Sequence, residues 1–588
     1  MYKPLNPDAQ ETRLLTLHRG SEPEWIHCTL SVESLEDRPS YTAVSYAWGT
    51  NQPVREIVIN GVAVDVTHTV YEMLMTLRDM FRNRCLWVDA LCINQDDAKE
   101  KAHQVGMMGS IYSNATCTYI WLGPSSEASD LAMDFVVSAG PDDFERSQMV
   151  SKPNHWKALH ALLRRAWWSR LWIVQEACLS KRAIIRCGDK EVELDTFRRF
   201  YQLHKQSQRF ALPLHARLVF ADVPFAYVLG AWDMAMSNVV KGQSSLSAWM
   251  AFTTYAQNSL PRDRLFALLS LSSSEDRKAI KIDYRRPDRD IFKEAATHFI
   301  RKNGLICLQA GRVPKSANFN LPSWVPDWTY LGPPRGIHFI APSPFSYAAD
   351  GDAAYWQRLK IPPWNLPGEI SSMDQPARFS PDCEVLAVRG LIFDEICYAD
   401  LSFMASCDHG QLAAAIKAVQ PKDLTPDMVH AMRSWEARVM AFDKDAYSKT
   451  CGRNEAFWRT LIADRTGSLQ ATPADFATRF ETLMGRQNGS LTESEKWVFR
   501  EPFSSRAFAC CFRRAFVITR KGYLGLAPSS TQIGDFVCVL KGGNAPVILH
   551  PKDGSFYRYL GDSYVHGIMN GECVREAKPE DVQEFWVR

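Results

Sequence analysis

Apolar positions in the first third of the chain switch between two periods. Tyr41-Thr42-Ala43-Val44-Ser45-Tyr46-Ala47-Trp48-Gly49 is a short β-prone run that stops at a glycine. Glu56-Ile57-Val58-Ile59 is a second, leading into the turn pair Asn60-Gly61. Val70, Met73, Leu74, Leu77, Met80 and Phe81 then fall on one side of a helix. Residues 85–93 are apolar almost throughout, the pattern of a strand covered by helices on both faces. Asp97 and Glu100 have the spacing of a capping box and open a predicted helix over 98–112. A strand over 117–123 ends at Pro124, residues 141–154 read as a polar loop, residues 165–177 as a helix, and residues 183–187 as a further strand. Alternating strand and helix over about 150 residues predict an α/β domain with a doubly wound parallel sheet.

Downstream the period changes. Residues 191–301 are mostly helical in pattern, and Pro261-Arg262-Asp263-Arg264 reads as a helix start, with Pro261 near its first position and Asp263 in its first turn. The arginine pair there fits phosphate binding on one reading, capping and interdomain salt bridging on the other. Residues 321–367 are rich in proline and aromatics and read as an extended connector. A helical insert over about 411–500 follows, then short β-prone runs at 515–519, 522–526, 535–540 and 547–549 that a small barrel or sandwich would satisfy. The resulting division is an N-terminal extension (1–40), the α/β domain (41–190), a mainly helical region (191–330), a connector with a helical insert (331–507) and a β-rich C-terminal region (508–588).

Composition narrows the classes. A chain of 588 residues exceeds a single core, and 46% apolar with 23% charged residues is an ordinary globular balance. A net charge of +2 gives no reason to expect nucleic acid or an anionic membrane as partner. The segment around 220–236 is interrupted by Asp222, Pro224 and Asp233, well short of the roughly 20 apolar residues of a membrane span. The fifteen cysteines lack metal spacing, and Cys510-Cys511 are adjacent, so reduced cytosolic thiols and no metal site are expected. His550 and His566 read as structural.

Candidate chemistry gathers at the expected strand ends, where ligands of such sheets bind. Tyr46, Trp48 and Gly49 follow one strand, Asp89, Asn94 and Gln95 another, and Gly123 a third. Trp48 could stack on a flat ring, Gly49 admits close backbone approach, and Asp89, Asn94 and Gln95 could bond ribose hydroxyls or amides. The competing readings are local turn and cap chemistry for Asp89 and Asn94, and packing over the sheet edge for Trp48. Neither G-x-G-x-x-G nor a P-loop is present, so no cofactor is assigned. In the helix predicted over 165–177, Trp168, Trp172 and Glu176 share a face, which sets a carboxylate beside apolar surface and raises its pKa. The same residues also fit a core helix with Glu176 paired to an arginine.

The runs 41–49, Leu86-Trp87-Val88-Asp89-Ala90-Leu91-Cys92-Ile93-Asn94-Gln95-Asp96-Asp97, Gln104-Val105 to Ile111-Tyr112-Ser113-Asn114-Ala115, and Trp168-Ser169-Arg170-Leu171-Trp172-Ile173-Val174-Gln175-Glu176 resemble the successive motifs of the fungal heterokaryon-incompatibility (HET) domain. Residues 261–269, 282–284, 321–328 and 564–569 resemble the trailing portion of such proteins. The resemblance implies a fungal protein of non-self recognition and programmed cell death, and the cysteine usage places it in the cytoplasm. Its N-terminal domain is similar in turn to Toll/interleukin-receptor (TIR) domains, which are doubly wound and some of which hydrolyse NAD. In that pattern a tryptophan stands four residues before the catalytic glutamate, as Trp172 does before Glu176, although Leu171 separates Arg170 from Trp172 and Ile173 replaces a cysteine. Glu176 would then be catalytic, Tyr46, Trp48, Gly49, Asp89, Asn94, Gln95 and Trp172 would bind the substrate, and NAD or NADP would be the dinucleotide cleaved. A carboxylate suits that reaction because bond cleavage passes through an oxocarbenium-like state and nicotinamide departs neutral. The alternatives are a non-enzymatic signalling or self-association module that engages an incompatibility partner, and a ligand-binding or biosynthetic protein on the same scaffold.

Overall fold

A computed structural model describes residues 2–21, 25–49, 54–140, 152–207, 245–253, 256–305, 319–329, 377–401, 421–466, 471–486 and most of 502–588, with isolated positions between. The expectations for residues 141–151, for 220–236 and for most of 321–367 lie outside these. The chain forms two compact units, chiefly residues 1–288 and 289–588.

The first unit is built on a sheet that holds nine strands of the described residues, in the order β5-β4-β2-β1-β6-β3-β7-β8-β9. These are β1 (Glu11–Leu17), β2 (His27–Ser34), β3 (Thr42–Tyr46), β4 (Val54–Ile59), β5 (Val62–Thr67), β6 (Arg84–Trp87), β7 (Cys117–Trp121), β8 (Ala183–Cys187) and β9 (Lys190–Glu193). β6, β3, β7 and β8 form one parallel group, and β2 runs parallel to β4. β1 runs antiparallel to β2 and β6, β4 to β5, and β8 to β9. The sheet is therefore mixed rather than wholly parallel, and residues 1–40, read as an extension, supply two of its strands. β1 was hidden by polar core positions: buried Arg13 is paired with Glu100 at 2.7 Å, and the Thr12 hydroxyl donates to Gln104.

Local chemistry explains several boundaries. Asn60 and Gly61 both have positive φ, as the tight β4–β5 hairpin needs. Helix α1 (His68–Leu77) buries Val70, Met73, Leu74 and Leu77, but it stops before Met80 and Phe81, which are exposed. There the Asp79 carboxylate accepts the N–H groups of Phe81 and Arg82 and competes with the helix. The apolar run 85–93 is divided into β6 and a short helix α2 (Asp89–Cys92), not one strand. Asp97 caps α3 (Ala98–Asn114) through Lys99 and Glu100 N–H, but the expected box is incomplete, because the Glu100 carboxylate takes Asn94 N–H and Arg13 instead. After α4 (Glu127–Ser138), α5 (Pro153–Leu163) begins inside the stretch read as a loop.

In the second unit, β10 (Ala377–Phe379) and the 15-residue β11 (Leu386–Asp400) lie in the stretch read as connector and helical insert. β11 pairs with β12 (Arg514–Thr519), β14 (Phe536–Leu540) and β18 (Val582–Val587). β14 continues to β15 (Val547–Pro551) and β16 (Phe556–Asp562), and β16 pairs with β18, so the path returns to β11 and closes a barrel. β13 (Leu524–Pro528) and β17 (Tyr564–Val565) extend the sheet beyond β12. Two register shifts let β11 serve both directions. Gly390 is needed in it, since a Cβ there would come within 2.4 Å of the Val539 carbonyl oxygen. Helices α6 (Pro421–Met440), α7 (Arg453–Leu461) and α8 (Phe476–Leu483) follow the helical pattern, and Trp435 stacks on Phe516 with ring centroids 5.1 Å apart.

Candidate functional site

A cleft of about 590 Å³ opens at the carboxyl ends of β3 and β6 in the first unit, a volume ordinary for small-molecule sites. Trp48, Gly49, Asp89, Gln95 and Trp172 line it together, although they come from three separate stretches of sequence. Trp48 is 40% exposed and its Nε1 donates to Asp89 Oδ2 at 2.7 Å, so the indole stands at the rim with its orientation fixed. Asp89 has a second task, its Oδ1 accepting the Ala90 N–H at the start of α2. The Gln95 amide donates to the Asp89 carbonyl at 3.1 Å. Gly49 has φ +72°, and a Cβ there would sit 2.4 Å from the Thr69 hydroxyl. Asn94 is used locally, accepting the Asp96 N–H, and does not line the cleft. Gly123 is also away from it: Arg165 donates to the carbonyls on either side of that glycine.

The stretch 165–177 is not one helix. Residues 166–169 form a 3-10 turn, Arg170 is extended, and the helix proper spans Ile173–Cys178. The break has a non-local cause: Leu171 N–H donates to the Gln257 carbonyl at 2.7 Å, and Gln257 N–H to the Ser169 carbonyl at 2.5 Å. Trp172 and Glu176 therefore lie one turn apart as expected, with Glu176 N–H bonded to the Trp172 carbonyl. Trp168 does not share their face; it is buried, and its Nε1 donates to the Leu162 carbonyl.

Glu176 is 1% exposed and does not line the cleft. The Ser45 hydroxyl donates to its carboxylate, and Trp167 Nε1 donates to that same Ser45 oxygen at 2.7 Å. Burial pushes the Glu176 carboxyl up to about 7, against the opposing pull of the Arg170 charge and the Ser45 bond. Arg170 borders the cleft and bonds the Tyr46 carbonyl. Tyr46 itself is buried, its phenol held well above the usual range by burial and by the neighbouring Asp89 carboxylate.

The cleft contains residues that the sequence did not single out for binding: Lys101, Arg170, Asp263 and Tyr284. Asp263 opens the helix Asp263–Leu269, so Pro261 precedes that helix rather than starting it. Its Oδ1 accepts the Tyr284 hydroxyl at 2.9 Å and its Oδ2 the Trp172 indole N–H at 3.4 Å. Burial pushes this carboxyl up to about 6, opposed by those two bonds and by the charges of Lys101 and Arg262. Lys101 Nζ lies 5.0 Å from the Tyr284 ring centroid. The neighbouring arginines are engaged within the unit: Arg262 with the Tyr284 and Arg286 carbonyls and with Asp288 at 2.7 Å, Arg264 with the Ala256 carbonyl. Among the described residues no cluster of His, Cys, Asp or Glu could hold a metal ion, and no helix is long and apolar enough to cross a membrane.

Residues 41–176 match the family described as "Heterokaryon incompatibility protein (HET)". The chain carries a HET domain. Residues 498–587 match a second family, the Het-6 beta-barrel domain, in agreement with the closed sheet of the second unit. The chain is 25% identical to "Heterokaryon incompatibility protein 6, OR allele" of Neurospora crassa over 704 aligned residues that cover 98% of this chain and 96% of that protein. No solved structure matches. The HET match ends at Glu176, so Asp263 and Tyr284 reach the cleft from outside the matched segment.

Proposed function

We propose that this protein acts in heterokaryon incompatibility as a cell-death effector, and that its cleft binds NAD or NADP and hydrolyses the nicotinamide–ribose bond. The support for a role in incompatibility is the HET domain together with the near full-length similarity to the Neurospora protein. The observation that carries the chemical reading is the convergence of Trp48, Asp89, Trp172 and Asp263 on one cleft at strand carboxyl ends. Two indoles offer surface for flat rings, two carboxylates can accept ribose hydroxyls, and Lys101 offers a cation for a phosphate. The reversal of chain order at β3, which has β6 on one side and β7 on the other, favours a doubly wound, TIR-like ancestry for the parallel strands. In this reading Glu176 acts from behind the wall, holding Ser45 and, by its charge, the Arg170 side chain.

The burial of Glu176 favours a second reading, in which the domain signals without catalysis. Purified protein incubated with NAD decides between them. Release of nicotinamide, reduced about tenfold by Glu176→Gln, is the expected result; no release from the wild type, with toxicity on expression retained, leaves the signalling reading standing.

A further inference from the structure

The motif Pro261-Arg262-Asp263-Arg264 is left without a role by the family match, yet it delivers a carboxylate into the cleft. We infer that Asp263, not Glu176, is the acid that meets the ligand, an assignment that rests on the NAD reading. Both carboxylates are largely removed from water, but only Asp263 borders the cleft. Its environment is built rather than incidental. Tyr284 and Trp172 each bond one oxygen, which fixes the plane of the carboxylate and leaves it lone pairs to accept from a ligand. Trp172 also lines the cleft, so a ring lying against that indole has Asp263 at its edge. Tyr284 is held by Arg262 through its carbonyl, and Arg262 by Asp288, so the support for Asp263 extends beyond its immediate partners.

Asp263 then serves as the general base. The bond between ribose C1′ and the ring nitrogen breaks, its electron pair returns to the nitrogen, and nicotinamide leaves neutral. Water adds its oxygen to C1′, and its proton passes to Asp263 and on to solvent. The products are nicotinamide, ADP-ribose and one proton, so no further reactant is required. A base must be ionised to act, so the rate falls as pH drops through about 6, where Asp263 takes up a proton. The charged and titratable groups that face it are Lys101 from α3, Arg262 from its own helix start and Tyr284 from the segment that follows.

The test uses the full chain and NAD itself. Asp263→Asn is expected to lower nicotinamide release at least about 100-fold, in line with the usual contribution of a general base, while the protein still binds NAD, read from tryptophan quenching, because the asparagine amide oxygen remains an acceptor. Asp263→Glu restores part of the rate. Tyr284→Phe removes a bond that favours the ionised carboxylate, so the acidic limb of the pH profile moves to higher pH; Glu176→Gln leaves that limb in place. An Asp263→Asn protein as fast as wild type, or an acidic limb that ignores Tyr284→Phe and follows Glu176→Gln, overturns the assignment alone. A wild type that neither binds nor cleaves NAD overturns the assignment together with the reading beneath it, and the binding signal separates the two failures.

Discussion

Two carboxylates, Glu176 inside the domain and Asp263 at the cleft, differ less in chemistry than in access. On the inner side, Glu176 is bonded by Ser45, and Ser45 by Trp167. On the cleft side, Asp263 is bonded by Tyr284 and Trp172 and lies near Lys101. Burial raises both acids above the ordinary carboxylate range. A raised pKa thus reports desolvation alone, and a path to the ligand has to be established separately.

The contrast breaks most sharply at Trp167. Replacing it with alanine removes a fully buried indole and leaves Ser45 without its donor, so urea unfolding of the N-terminal unit should lose about 3–5 kcal/mol. The next effect is electrostatic. Glu176 binds its proton more tightly folded than unfolded, so the stability tied to that proton is fully present below pH 4.5 and is lost as pH rises through about 7. The loss is on the order of 3 kcal/mol, and Glu176→Gln should remove that share of the decline, leaving the share of similar size that Asp263 contributes between 3.8 and about 6. On the cleft side, Trp48→Ala should weaken NAD binding by about 1–3 kcal/mol, the usual worth of base stacking, with stability changed by less than about 0.5 kcal/mol because the ring is exposed. The smallest effect on the pH profile belongs to Lys101→Met. It removes a charge that favours ionised Asp263, so the acidic limb of the rate profile should move up by a few tenths of a pH unit.

What the sequence disclosed follows the range of the forces involved. β7, β8, β4 with its Asn60-Gly61 turn and the buried face of α1 were legible because alternation, turn residues and a 3.6-residue stripe are local signals, whereas β5 was not read. Trp172 and Glu176 were legible as a pair for the same reason. Trp168 was misplaced because Gln257, far along the chain, pulls Ser169 and Leu171 out of the helix. β1 escaped notice because Arg13 and Thr12 break its apolar pattern while finding buried partners. Asp263 read correctly as a first-turn acid, but its place beside Trp172 depends on tertiary packing that no spacing encodes.

The closure of the barrel by β11 has a consequence for how the chain can be divided. The matched segment 498–587 holds β12 to β18 but not β11, the strand that bonds to β12, β14 and β18 at once. Expressed without residues 386–400, that segment would present three unpaired strand edges to solvent, a template for aggregation. In the intact chain those edges are covered by a strand that precedes β12 by more than a hundred residues, so the helices between them belong to one long loop that must close before the barrel exists. The barrel recognised by sequence is thus shorter than the unit able to fold.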